Sequence, residues 1–425
     1  MTSFAVAGEM VEAGETTIYV VELFVLFIAA ATAIALLTRR SPLPYSVALV
    51  LLGLLIAAFG PAAPLDVTPE LVLIVLVPGL VFEAAYRLDF TELRKTFLGV
   101  AILAIPGVLV SAAVVAFALA ATGLDLSLAF IVGAIVSATD PVSVIATFKS
   151  LGAPNRLATL VEAESLFNDG TAVVVFMIAV AAATGSVAPP DAFVWFVATL
   201  AISTGLGLVA GFVATRVMVI ANDHLIELAI SVVLAYGTYL LADRIGQSGI
   251  IATVVAGLVL GTYGRQVGLK PATFDALDQT WEFVAFMLTA FVFLLIGLAI
   301  SLGTLVDSLG AIALGVIGIL VGRALVVYLV LGGGSRIVRA AGRGSAVPST
   351  WLHVLFWAGL RGAIAVGLAL SLPADLPQRT YLQTIVFGIT LFTLLVQGAT
   401  TGLLLRRLGL RADEPAASGD EPAAT

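Results

Sequence analysis

The sequence has no cysteine in its 425 residues and only two histidines, His224 and His353. Without cysteine there is no disulfide framework and no thiolate metal site. The two histidines lie too far apart to share a helix, which argues against a histidine metal cluster. Charge is scarce as well, at 11% of residues against 60% hydrophobic. That balance is too apolar for a soluble domain and indicates an all-α polytopic membrane protein. The basic residues are scattered through short loops, so no nucleic-acid partner is suggested. Residues 1–17 carry no basic residue ahead of the first apolar run, unlike a cleavable signal peptide. Net charge is −7, and the acids gather in two tails: Glu9, Glu12 and Glu15 in residues 1–17, and Asp413, Glu414, Asp420 and Glu421 in residues 409–425. Both read as solvated segments.

Between the tails lie thirteen apolar segments, at about residues 18–38, 44–59, 69–86, 97–121, 126–147, 158–184, 191–219, 224–243, 248–264, 280–303, 305–333, 350–372 and 380–408. The second is short enough to be tilted or partly re-entrant. Sixteen of the twenty basic residues follow odd-numbered segments, from Arg39 and Arg40 to Arg406, Arg407 and Arg411. The opposite side receives only Arg244 and Arg379, and Arg323 and Arg361 fall inside spans. Positive loops stay cytoplasmic, so the N-terminus is expected outside and the C-terminus inside.

The sixth segment is organised around Glu162-Ala163-Glu164-Ser165-Leu166-Phe167-Asn168-Asp169-Gly170. Carboxylates at membrane depth are expensive and face a cavity, a partner or a transported ion. On a helix Ser165 and Asp169 share one face, as do Glu164 and Asn168. The result is an oxygen-rich pocket suited to a hard cation, with a carboxylate that can exchange cation for proton.

Two spans read as broken. The fifth contains Ser137-Ala138-Thr139-Asp140-Pro141, where proline removes a helix hydrogen bond and frees a carbonyl. The twelfth contains Gly359-Leu360-Arg361-Gly362, an arginine between glycines. The fifth and twelfth differ by seven in order, an odd number, so as repeat partners they run in opposite directions. Paired interruptions in inverted halves point to a transporter's midplane site.

The motifs Thr139-Asp140-Pro141, Glu164 to Gly170 and Gly359-Leu360-Arg361-Gly362-Ala363, with the weaker Phe82-Glu83-Ala84 after Pro78, resemble the monovalent cation:proton antiporter superfamily. Within it they are similar to the branch of NhaP-type and NHE-type sodium/proton exchangers. The Asn-Asp pair is particular to that branch, since electrogenic relatives generally carry two aspartates there. The likeness covers about residues 18–408, and Val77-Pro78-Gly79 stands where the family often has two prolines.

The resemblance implies an NhaA-like antiporter fold of about thirteen transmembrane helices with inverted repeats. A core domain (97–184 and 305–408) would move against a dimerisation domain (18–86 and 191–303) in a cell-membrane homodimer. Asp169 would bind Na⁺ or H⁺, and Glu164, Ser165 and the Thr139 carbonyl would complete the cation shell. Asn168 and Asp140 would hold the crossing together, and Arg361 would pair with Glu164. No cofactor is implied beyond the transported Na⁺ and H⁺, and no enzymatic activity. With one unmatched carboxylate, exchange is expected to be electroneutral and one-for-one.

The remaining charges have quieter readings. Arg323 is expected to pair with Glu83 or with an acid of the sixth span, Glu282 to be interfacial, and His353 to lie near a membrane face. Glu162 is open between an entrance residue and a solvated one. Gly207/Gly211 and Gly257/Gly261 have the spacing of close helix packing. Within the antiporter reading, Li⁺ or K⁺ in place of Na⁺ stays open. A cation channel is the rival class. An intramembrane aspartyl protease using Asp140 and Asp169 lacks the Gly-x-Gly-Asp context.

Overall fold

The structure is a computed structural model in which residues 22, 24–39, 43–59, 67–186, 188–221, 223–267, 269–340 and 347–410 are described. The acids of both tails, and Arg40, Arg343 and Arg411, lie outside the described residues. Every regular element among those described is helical.

The apolar segments become helices because each is long enough to satisfy its own backbone in lipid. In order they are α1 (Phe24–Thr38), α2 (Tyr45–Phe59) and α3 (Val77–Arg87), the last continuing a π-helical turn, Leu71–Leu76. Then come α4 (Phe90–Ala104), α5 (Pro106–Ala120), α6 (Leu126–Ser137), α7 (Val142–Leu151), α8 (Asn155–Ala183) and α9 (Pro189–Ala221). They are followed by α10 (His224–Val232), α11 (Thr238–Arg244), α12 (Gly249–Gln266), α13 (Pro271–Leu298) and the short α14 (Leu302–Asp307). The chain ends with α15 (Leu309–Ala324), α16 (Gly334–Ala340), α17 (Ser349–Trp357), α18 (Ala363–Leu370), α19 (Arg379–Phe392) and α20 (Ala399–Arg407). Eight helical stretches are long and apolar enough to cross a bilayer, and α1 and α2 are shorter apolar helices. The other three expected segments fall on α3 with its π turn, on α12, and on the α17–α18 pair.

Local chemistry sets the ends. The Asp89 carboxylate accepts from the Thr91 and Glu92 amides to start α4, and Asp125 accepts from the Ser127 amide to start α6. Asp223 caps α10 and Ser248 caps α12 in the same way. Such caps satisfy amides that the helix cannot.

Close packing rests on small residues, as it must where lipid supplies no hydrophobic drive. α9 packs on α12 through Gly207, where a Cβ would stand 2.3 Å from the Ala252 carbonyl oxygen. α12 packs on α3 through Gly257 and Gly261, the latter 2.1 Å short of the Tyr86 oxygen by the same measure. Both glycine pairs therefore pack helices within one chain. α5, α6, α8, α15 and α19 form one connected set of neighbours, and α2, α3, α9, α12 and α13 another.

Candidate ion-binding site

Both expected breaks are present, and they meet. α6 stops at Ser137 and α7 begins at Val142; α17 stops at Trp357 and α18 begins at Ala363. Pro141 offers no N–H and drives residue 140 out of the helical region, which breaks the first span. Across the gap the Asp140 amide donates to the Leu360 carbonyl at 2.8 Å. Gly362 is required at that contact, since a Cβ there would lie 1.9 Å from Asp140 Oδ2.

The crossing gathers four helix ends. The N-termini of α7 and α18 carry partial positive charge, and Asp140 sits between them. Its Oδ1 accepts from the Val142 amide at 3.0 Å, and the Ala363 amide also donates to its carboxylate. Arg361 performs the converse task. Its Nη1 donates to the Gly359 carbonyl at 2.6 Å, just past the C-terminus of α17. Its own amide donates to Thr393 Oγ1 at 3.0 Å, on a π-helical turn, Thr393–Gly398, between α19 and α20.

α8 passes beside the crossing and is tied to Thr139 three times. The Ser165 hydroxyl donates to the Thr139 carbonyl. The Thr139 amide donates to Asn168 Oδ1 at 3.1 Å, and Asn168 Nδ2 donates to Thr139 Oγ1 at 2.6 Å. Asn168 Nδ2 also donates to Glu164 Oε1 at 2.8 Å, so the four-residue spacing does place both on one face. Thr139, Glu164, Ser165 and Asn168 are each at most 3% exposed.

The expected partner of Glu164 is replaced. Arg323 on α15, not Arg361, holds it, with Nη1 2.6 Å from Oε1 and Nη2 2.9 Å from Oε2. Arg323 also donates to the Leu355 carbonyl on α17, so one guanidinium joins α8, α15 and the broken span. A bidentate pair needs a planar fork approaching both oxygens. Arg361 is committed to the Gly359 and Leu360 carbonyls in the break instead, and its buried Nε has no partner among the described residues. Of the two expected partners of Arg323, the acid of the sixth span is the one found.

Asp169 differs from its neighbours. It is partly exposed and has no hydrogen bond or ion pair among the described residues. Its electrostatic neighbours are Asp140, Glu164 and Arg361. Three carboxylates and two guanidiniums thus share the site. With all ionised, the sum is one negative charge.

Sequence reasoning missed Thr393 and Leu355, because a hydroxyl and a main-chain carbonyl in apolar helices give no pattern. It also missed a cavity of about 10 Å³, the space of one water, bounded by Ser111, Ser137, Glu164, Asn168, Arg323 and Arg361 among others. The weaker Phe82-Glu83 motif leads to a separate charged group. Arg87 bridges Glu83 at 2.9 Å and the exposed Glu282 at 3.3 Å. Glu162 is half-buried with Lys149, Glu83 and Arg87 as its charged neighbours, two turns from Asp169. His353 is exposed, with its Nδ1 2.8 Å from the Tyr328 hydroxyl.

Crossed broken helices beside a helix bearing a buried ion pair and one free carboxylate define a membrane transporter. The family model described as sodium/hydrogen exchanger, transmembrane, matches residues 25–407. The low-affinity Na⁺/H⁺ antiporter NhaS1 of Synechocystis is 39% identical over 410 residues, covering 93% of this chain and 76% of that protein. The Na⁺/H⁺ antiporter ApNhaP of Aphanothece halophytica is 38% identical over 401 residues, covering 92% and 75%. The solved antiporter MjNhaP1 of Methanocaldococcus jannaschii superposes with a TM-score of 0.75 at 19% identity, over 91% of this chain and 98% of that one. The chain belongs to the sodium/hydrogen exchanger family.

Proposed function

We propose that the protein exchanges Na⁺ for H⁺ across the cell membrane, one for one, with both ions competing for Asp169. The observation that carries this is the contrast between Asp169 and every other charge at the crossing. Asp140 is held by helix amides, Glu164 by Arg323, and Arg361 by carbonyls. Asp169 alone is left for a mobile ion.

The cation would be held by the Asp169 carboxylate, Ser165 Oγ and the Thr139 carbonyl, with Glu164 at the edge of the shell. Asn168 and Asp140 hold that geometry. Oxygen donors of this kind suit a hard monovalent cation. Either Na⁺ or H⁺ brings the site from −1 to zero, so both loaded forms cross with equal charge. The empty anionic form is penalised by desolvation. Exchange follows because the unloaded carrier rarely crosses. The names of the relatives support Na⁺ as the ion.

The mobile part is the core domain, 97–184 and 305–408, and the fixed part the dimerisation domain, 18–86 and 191–303, of a homodimer. The packing of α5, α6, α8, α15 and α19 mainly on one another supports that division. The basic loops support a cytoplasmic C-terminus and an external N-terminus.

The test is reconstitution into liposomes holding a pH gradient, with Na⁺, Li⁺ or K⁺ added outside and internal pH followed by dye. A cation-driven pH change is expected, strongest with Na⁺ and absent in Asp169→Asn. Unchanged transport in Asp169→Asn, or no response to any ion in folded protein, would overturn the reading.

A further inference from the structure

Where the core and dimerisation groups meet, Glu162 and Lys149 are charged neighbours of Glu83 and Arg87 on α3, and one direct side-chain hydrogen bond crosses elsewhere. Ser46 Oγ, in the first turn of α2, hydrogen-bonds Ser143 Oγ, in the first turn of α7. Both residues are at most 3% exposed. Among the described residues this is the only hydrogen bond that joins a side chain of one group to a side chain of the other. Its place gives it leverage. Ser143 follows Asp140 by three residues, so it lies one turn from the crossing and on the half-helix that Asp140 starts. α2 begins directly after the loop carrying Arg39, so the bond lies toward the basic face of the protein.

Contacts toward the opposite face are of another kind. α8 meets α12 where a Cβ on Gly170 would be 2.5 Å from Ile251 Cγ1, in the first turn of α12. α18 meets the first π turn where a Cβ on Gly367 would be 2.5 Å from Leu73 Cδ2. These are apolar seals without directional bonds, and such surfaces can slide. A hydroxyl pair cannot slide without breaking, and parted from water it leaves two polar groups unsatisfied.

We propose that Ser46 and Ser143 form a latch that holds the ion-binding crossing against the fixed domain in the arrangement seen here, and that must open in every transport cycle. Both are positioning residues, acting through α7 and not on the ion. The inference rests on the proposed motion of the two domains. Loss of one net hydrogen bond changes a population about 2- to 10-fold, which is the expected shift of the balance between transport states.

The sequence has no cysteine, so a Ser46→Cys/Ser143→Cys variant carries the only two thiols in the molecule. Hydroxyls in direct contact place the β-carbons within reach of a disulfide. In proteoliposomes the reduced variant is expected to exchange Na⁺ for H⁺. Oxidation should lower the rate in proportion to the crosslinked fraction, about tenfold when about nine-tenths of the molecules are crosslinked, and a thiol reductant should restore it. In detergent, the oxidised variant should still release protons on Na⁺ addition, because Asp169 is untouched. A variant shown by thiol titration to be crosslinked, yet exchanging at the reduced rate, would overturn the latch.

Should the paired cysteines fold poorly, Ser46→Ala and Ser143→Ala carry the test. Each should shift the Na⁺ concentration for half-maximal rate by about 2- to 10-fold, and the double variant by no more than either alone. Additive effects, or none, would refute it. Absence of exchange in the unmutated protein is the separate result that sinks the antiport reading.

Discussion

Replacing Arg323 with methionine separates the two possible partners of Glu164. The substitution keeps most of the buried volume and removes the guanidinium that lies 2.6 and 2.9 Å from the two carboxylate oxygens. Glu164 is 2% exposed and would retain only the Asn168 amide as a donor. Breaking a buried pair from one side costs about 3–5 kcal/mol, because the remaining charge is left uncompensated. Removing both charges at once is close to neutral. Thermal or denaturant unfolding in detergent should therefore show Arg323→Met strongly destabilised. Arg323→Met combined with Glu164→Gln should recover most of the loss. Arg361→Met should show no such rescue by Glu164→Gln, since Arg361 holds main-chain carbonyls. An Arg361→Met variant rescued by Glu164→Gln, beside an Arg323→Met protein of ordinary stability, would refute the pairing.

Three other outcomes follow from the geometry. Gly362→Ala forces a Cβ to within 1.9 Å of Asp140 Oδ2, so the crossing must distort; transport should vanish and the unfolding midpoint fall, and retention of wild-type exchange would contradict the crossing. Ser165→Ala removes a candidate ligand and the donor to the Thr139 carbonyl. The Na⁺ concentration for half-maximal rate should rise about 2- to 10-fold, whereas a purely structural role would lower the maximal rate alone. Competition at one carboxylate also fixes the pH dependence. Where Asp169 is mostly protonated, half-saturating Na⁺ should rise about tenfold for each unit the pH falls, and it should level off at high pH. A half-saturating Na⁺ that ignores pH would exclude competition.

What could be read from the sequence was what depends on one helix at a time. The apolar segments, the break at Pro141, the glycines around Arg361 and the shared face of Glu164 and Asn168 all follow from local periodicity and backbone chemistry, and each appears in the structure. The choice between Arg323 and Arg361 for Glu164 did not follow, because 159 residues separate Arg323 from Glu164. Only packing decides which guanidinium reaches the carboxylate. Thr393 was invisible for a different reason. A threonine in an apolar helix commonly bonds its own preceding turn, as Thr393 also does to the Thr390 carbonyl at 2.9 Å. Nothing in the sequence marks its second bond, from the Arg361 amide. The Ser46–Ser143 contact joins two small residues 97 positions apart and is equally silent.

The site's charge is the central claim, and a null-point measurement tests it most directly. Proteoliposomes are prepared with opposing Na⁺ and pH gradients, and the gradient pair that gives no net flux is found at several imposed membrane potentials. One unmatched carboxylate, neutralised equally by Na⁺ or H⁺, predicts a null point where the two gradients are equal, at every potential. A null point that moves with potential would mean that the loaded carriers differ in charge and that Asp169 is not the whole of the coupling site.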